Sequence, residues 1–131
     1  MERIKERVKE AFQALATLEK VVGLSNPTDI ERDAAIQRFE YTFELTWKTA
    51  QAYASDQGLK EVFSPKNVIR ASFKMELLDE ETVQKMMGIV NDRNLTVHTY
   101  KESFAVQLYS RLADHAALLR LWLSEIQKRL E

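Results

Sequence analysis

The sequence predicts an all-α fold, an antiparallel up-and-down bundle of four to five helices. Only three glycines and two prolines occur in 131 residues, so the chain has few places to turn, and Ala, Leu, Glu, Lys and Gln dominate the rest. Apolar residues recur at steps of three and four, the spacing of one helical face. The polar breaks between these stripes are short, and short connections make successive helices run in opposite directions.

The first helix is expected over about residues 2 to 22, because Ile4, Val8, Ala11, Phe12, Leu15, Leu18 and Val22 share one stripe. Gly23 can close it, and Ser25-Asn26-Pro27-Thr28-Asp29 forms a turn cluster that can also cap the next helix. The second helix spans about residues 29 to 56. It turns Ile36, Phe39, Phe43, Trp47, Ala50 and Ala54 inward, with Gly58 available as its stop. Ser64-Pro65 supplies a serine cap and a proline at the first helical position for a short third helix ending near Phe73.

Asp79 can cap a fourth helix with Val83, Met86, Met87 and Val90 on its apolar side, and Asn91-Asp92-Arg93-Asn94 is expected to break it. Thr99 and Glu102 have capping-box spacing and place the start of the last helix there. That helix carries Ala105, Leu108, Leu112, His115, Leu119, Trp122 and Ile126 at alternating steps of three and four, widened by Leu118 and Leu123.

A chain of this length with 45% hydrophobic residues can build one core unaided, so residues 1–131 are expected to form a single domain. There is no cysteine, which excludes disulfides and thiolate metal sites and suits a reducing cytoplasmic location. The opening Met-Glu-Arg-Ile-Lys-Glu-Arg is charged and has no apolar stretch that could act as a signal or enter a membrane. Nineteen Lys and Arg against twenty Asp and Glu give no general pull toward RNA or anionic lipid, so any RNA contact must be local.

His98 and His115 are the two histidines, and neither has the Glu-x-x-His company of a bundle metal site; no metal or cofactor is expected. His115 lies on the apolar stripe of the last helix and reads as a satisfied, mostly buried side chain. Glu40, Glu44 and Lys48 follow the acid-before-base spacing that stabilises a solvated helix. They share that helix with Phe39, Phe43 and Trp47, so some of these charges are expected to pair internally or across an interface.

The segment Arg93-Asn94-Leu95-Thr96-Val97-His98-Thr99-Tyr100 concentrates a cation, an amide, an imidazole and a phenol at a junction between helices. In a continuous helix Arg93 and His98 would diverge by about 140° while Arg93 and Tyr100 shared a face; a bend there would let Arg93 and His98 converge. Histidine titrates near neutral pH and can take a proton from a ribose 2′-hydroxyl or give one to a leaving oxygen. The bidentate donors of Arg93 would complement the phosphate, aided by free amides at the start of the last helix. An Arg and a His with four residues between them occur often by chance, and spacing alone favours an ordinary polar junction over catalysis.

Arg93 to Tyr100 resembles the R-x4-H-x-Y signature of HEPN-domain proteins, including the Asn after Arg. The stretch Arg32-Asp33-Ala34-Ala35-Ile36-Gln37-Arg38-Phe39-Glu40-Tyr41-Thr42-Phe43-Glu44-Leu45-Thr46-Trp47-Lys48 is similar to the N-terminal signature of the HEPN branch called nucleotidyltransferase substrate-binding proteins. The resemblance implies a homodimer whose Arg and His face a shared cleft, paired with a cognate minimal nucleotidyltransferase as a toxin and antitoxin. By it, Arg93 and His98 would serve a metal-independent endoribonuclease, Asn94 would hold the arginine or the phosphate, and Tyr100 would accept adenylyl groups that silence cleavage. The older family name implies instead a non-catalytic substrate-binding or docking subunit of the nucleotidyltransferase. The blandest alternative is a structural dimerisation module, which explains the apolar stripes but not the polar cluster.

Overall fold

The computed structural model describes residues 2–131, with five α-helices, one 3-10 turn and, among the described residues, no strand. The helices are α1 (Glu2–Glu19), α2 (Asp29–Asp56), α3 (Pro65–Lys74), α4 (Glu80–Leu95) and α5 (Glu102–Leu130), with the 3-10 turn at Thr96–His98 between the last two. Contacts along the helices fix their directions. Thr17 meets Tyr41 and Thr49 meets the carbonyl of Arg7, so α1 and α2 are antiparallel. Arg93 meets Glu44 and Thr96 meets Glu40, so α4 runs against α2, and the short connection from Leu95 to Glu102 turns α5 back along α4, where Arg111 meets Asp92. The four long helices thus form the up-and-down bundle, and α3 closes the end where α5 terminates, through Trp122 Nε1 donating to Ser72 Oγ at 2.9 Å.

Every residue assigned inward on α2, from Ile36 to Ala54, is buried, as is the α5 series from Ala105 to Ile126. Phe39, Phe43 and Trp122 are completely enclosed at the centre. The boundaries of α2 are set by its caps. Thr28 Oγ1 accepts from Glu31 N at 3.1 Å and Glu31 Oε1 accepts from Thr28 N at 2.9 Å, a reciprocal capping box. Thr28→Ala is expected to cost about 1 kcal/mol, read as a shift of the urea midpoint at unchanged slope; an unshifted midpoint would show that the cap is idle. No described helix is long and apolar enough to cross a membrane.

Three expected boundaries move. Helix α1 stops at Glu19, short of Val22, because the Tyr109 hydroxyl donates to Val21 O at 2.8 Å and accepts from Leu24 N at 3.0 Å. This long-range tie draws the chain off the helix before Gly23 turns it at φ 73°. Helix α4 runs straight through Asn91-Asp92-Arg93-Asn94 to Leu95, since Asp92 and Arg93 find ionic partners on α5 and α2 and do not compete for the backbone. The Thr99–Glu102 capping box does not form: Thr99 Oγ1 donates to Thr96 O at 2.8 Å, and the cap of α5 is Lys101 without a side-chain bond.

Candidate functional site

The segment from Arg93 to Tyr100 lies where α4 gives way to the 3-10 turn and the turn to α5. Arg93 occupies the last turn of α4, where a cation complements the negative end of the helix dipole. Its Nη2 donates to Glu44 Oε1, and its guanidinium carbon lies 6.0 Å from the centre of the Phe43 ring. Thr96 fastens the next turn, donating to the carbonyl of Arg93 at 2.8 Å and lying 3.2 Å from Glu40 Oε2. The charges on α2 thus have an internal partner at Glu44, which also keeps a looser contact with Lys48 at 3.9 Å. An arginine whose Nη2 is held by a carboxylate keeps other donors for a second acceptor, and the Arg93 side chain is 38% exposed.

His98 ends the 3-10 turn and is exposed. Its ring centre lies 6.5 Å from that of Tyr100 and 6.2 Å from that of Phe104, so two aromatic rings flank it without a hydrogen bond. Tyr100 is 78% exposed, which leaves its hydroxyl open to a reagent from outside. Asn94 is exposed on the last turn of α4. Arg93 is held on the α2 side and His98 on the α5 side, and no hydrogen bond joins them among the described residues. Among those residues, too, no group of three or more His, Asp or Glu side chains is placed to hold a metal ion.

Directly behind Arg93 stands a group that the sequence reading did not assemble. Asp92 is buried and receives Arg111 Nε at 2.7 Å and Arg111 Nη2 at 2.9 Å, a bidentate pair, while His115 Nε2 lies 2.6 Å from its Oδ2. Burial pushes the Asp92 carboxyl up, but the hydrogen bonds and charges of Arg111 and His115 outweigh it and hold the group below the usual Asp range. The carboxylate can only accept, so Nε2 is the donor in this pair. His115 is buried as its place on the stripe predicts, but only half satisfied: Nε2 meets Asp92 and Nδ1 is buried without a partner. The available signal was Arg111 and His115 at i, i+4 on one face of α5, able to converge on a single acid from α4.

Residues 6–128 match the family described as nucleotidyltransferase substrate binding protein like. The chain belongs to that family. Nucleotidyltransferase substrate-binding proteins of this kind form the HEPN branch to which both sequence signatures pointed. A crystal structure of a Thermus thermophilus protein is 48% identical and superposes with a TM-score of 0.84 over 88% of this chain and 98% of that one. A curated relative, "Probable ribonuclease HepT" of Haemophilus influenzae, is 23% identical over 99 residues. The match takes in 72% of this chain and 66% of that relative, just under two thirds of its length. A chain from a crystal structure of a toxin-antitoxin with AMP-PNP shares the fold, with a TM-score of 0.77 and 15% identity over 94% of this chain and 96% of that one.

Proposed function

We propose that this family member is the HEPN toxin of a two-protein module, a metal-independent endoribonuclease of the cytoplasm that a cognate nucleotidyltransferase silences by adenylylating Tyr100. The observation that carries the reading is the exposure of His98 and Tyr100 on one short turn, beside an Arg93 whose orientation Glu44 fixes. Arg93 would bind the nonbridging oxygens of the scissile phosphate, with Asn94 supporting it. His98 would take the proton of the ribose 2′-hydroxyl while the 2′-oxygen bonds to phosphorus and the 5′-oxygen leaves, taking up a proton in turn. The products would be a 2′,3′-cyclic phosphate and a 5′-hydroxyl.

A second copy of the chain would complete the cleft. Leu95, Val97 and Tyr100 crowd large exposed apolar side chains into six residues around His98, and Val97 is 71% exposed. Such a cluster is the kind of surface that a homodimer buries. Adenylylation would join the Tyr100 oxygen to the α-phosphorus of ATP and release pyrophosphate. Each adenylyl group would set a negative phosphate and a base where RNA phosphates must approach.

The test is cleavage of total tRNA and of an mRNA by the purified protein in EDTA, together with its intact mass after incubation with ATP, magnesium and a cognate minimal nucleotidyltransferase. Mass should rise in adenylyl steps and cleavage should stop, whereas Tyr100→Phe should keep cutting and gain no mass. A Tyr100→Phe protein that is modified and silenced like the wild type would remove Tyr100 from the scheme.

The non-catalytic reading draws on a different observation. A net charge of −1 gives no broad RNA-binding surface, and the family description itself speaks of substrate binding. Absence of cleavage by a protein whose mass carries no adenylyl group would establish the docking subunit instead.

A further inference from the structure

Helix α3 differs from the rest of the molecule in the charge it carries. Its ten residues contain Lys66, Arg70 and Lys74 and no acid, in a chain whose total is −1. Lys66, Arg70, Phe73 and Lys74 recur at steps of three and four and so lie on one face, and Phe63 stands one turn ahead of them. The opposite face, Val68, Ile69, Ala71 and Ser72, is buried against the bundle. No carboxylate oxygen lies within 4.0 Å of Lys60, Lys66, Arg70 or Lys74 among the described residues, a state they share with Arg3, Arg7 and Lys9 of α1, but α1 carries acids among its cations and α3 carries none. Arg70 makes one side-chain bond, to Asn67 Oδ1 at 2.9 Å.

The aromatic rings on this face are left in water by a fixed backbone. Phe63 is 83% exposed and Phe73 48%. Val62, next to Phe63, is buried and its carbonyl accepts from Gln51 Nε2 at 2.6 Å; Ser64 caps α3 and Pro65 begins it. Anchored on one side by buried Val62 and on the other by the start of α3, the loop shows Phe63 to solvent. Glu61 and Glu76 bound the patch at its two ends, at φ 62° and 61°.

We infer that the exposed face of α3, with Phe63 and Phe73 among Lys66, Arg70 and Lys74, is a docking track for single-stranded RNA. Unpaired cations follow the phosphates, and the rings offer sequence-tolerant stacking to unpaired bases. An acidic protein partner, for which the rings would serve as interface anchors, is the competing occupant that the test below separates from RNA. The track lies at the far end of the bundle from His98: Phe104 beside His98 and Trp122 bonded to Ser72 are separated by about five helical turns of α5, roughly 27 Å. A strand of several nucleotides bridges that distance, so the track would lengthen the hold on substrate without touching the cleft.

The inference rests on the ribonuclease reading for its ligand class, and binding measured apart from cleavage keeps the two separable. The probe is a fluorescein-labelled oligouridylate of about 20 nucleotides, longer than the roughly 4–16 nucleotides such platforms cover. Anisotropy would be followed in EDTA on a His98→Ala background between about 50 and 200 mM salt. Lys66→Gln with Arg70→Gln and Lys74→Gln should weaken binding more than tenfold and flatten the salt slope by about two, given some 0.7 per phosphate contact. Phe63→Ser with Phe73→Ser should weaken it by about tenfold or more with the slope unchanged. Phe63, Arg70, Phe73 and Lys74 are exposed and Lys66 is half-buried, and none of the five is part of the core, so thermal unfolding is expected to change little in either variant.

Variants that bind RNA like their parent, a parent that binds none, or variants that lose the nucleotidyltransferase but keep RNA would each overturn the track. Loss of RNA binding by the α3 variants in a protein that never cleaves would uphold the track and sink the nuclease. The reverse pattern would do the opposite.

Discussion

His98→Ala is expected to lower RNA cleavage by about 10²- to 10⁴-fold, the usual contribution of a positioned general acid or base. The size follows from where the side chain stands. His98 is exposed on the 3-10 turn and makes ring contacts only with Tyr100 and Phe104, so its removal takes no hydrogen bond from the fold. Its stability change should fall within about 0.5 kcal/mol, the range of ordinary surface substitutions. A large loss of rate with an unmoved unfolding midpoint is then a statement about chemistry. Wild type and variant would be compared on the same RNA in EDTA, with thermal melts run alongside. Equal cutting by both proteins would take His98 out of the mechanism, since no other histidine is free to replace it: His115 is buried against Asp92.

Arg93 gives a less clean experiment. Arg93→Ala removes a phosphate ligand but also strips Glu44 of its close partner, leaving a half-buried carboxylate with only the looser Lys48 contact. Arg93→Lys keeps the charge and loses the fork.

The apolar residues of α2 and α5 were legible because burial there is decided by periodicity alone. Trp122 and Phe39 sit where a helical stripe puts them, whatever lies opposite. Ser64-Pro65 and Asp79 likewise marked their helix starts correctly, because these caps act within four residues of themselves. Two of the three misplaced boundaries were decided by a residue far away in the chain; the third, the missing Thr99–Glu102 box, was decided locally, by Thr99 Oγ1 donating to Thr96 O. Tyr109 ends α1 across 88 residues, and Glu44 reaches 49 residues to keep Arg93 on a helix that its polar neighbours would otherwise break. The candidate site follows the same division. The residue types from Arg93 to Tyr100 are written in the sequence, while Glu44 orienting Arg93, Phe104 flanking His98 and Asp92 collecting Arg111 and His115 depend on how α2, α4 and α5 stack.

Asp92→Ala is expected to cost about 3–5 kcal/mol, the usual penalty for stripping one member from a buried ionic group, out of a total stability of about 5–15 kcal/mol. Asp92 is 7% exposed and takes three hydrogen bonds from two side chains, so its loss leaves the half-exposed Arg111 guanidinium to water and His115 buried with neither ring nitrogen partnered. The dependence on pH has a definite sign. The folded protein holds the Asp92 carboxyl below its ordinary value, so the unfolded chain binds that proton more readily. Its contribution is therefore complete above the unfolded Asp value of about 3.9, and is lost as pH falls through the lower folded one. Urea unfolding of wild type and Asp92→Asn at neutral pH should show a wide gap that narrows in acid; a gap that is absent, or that stays constant into acid, would mean the cluster contributes no charge stabilisation. Since Asp92 precedes Arg93 on α4, loosening it also frees the last turn that carries the Glu44 pair. Glu44→Gln separates the two effects. It leaves the Asp92 cluster untouched and the urea midpoint nearly so, and changes only what holds the Arg93 guanidinium toward an incoming phosphate.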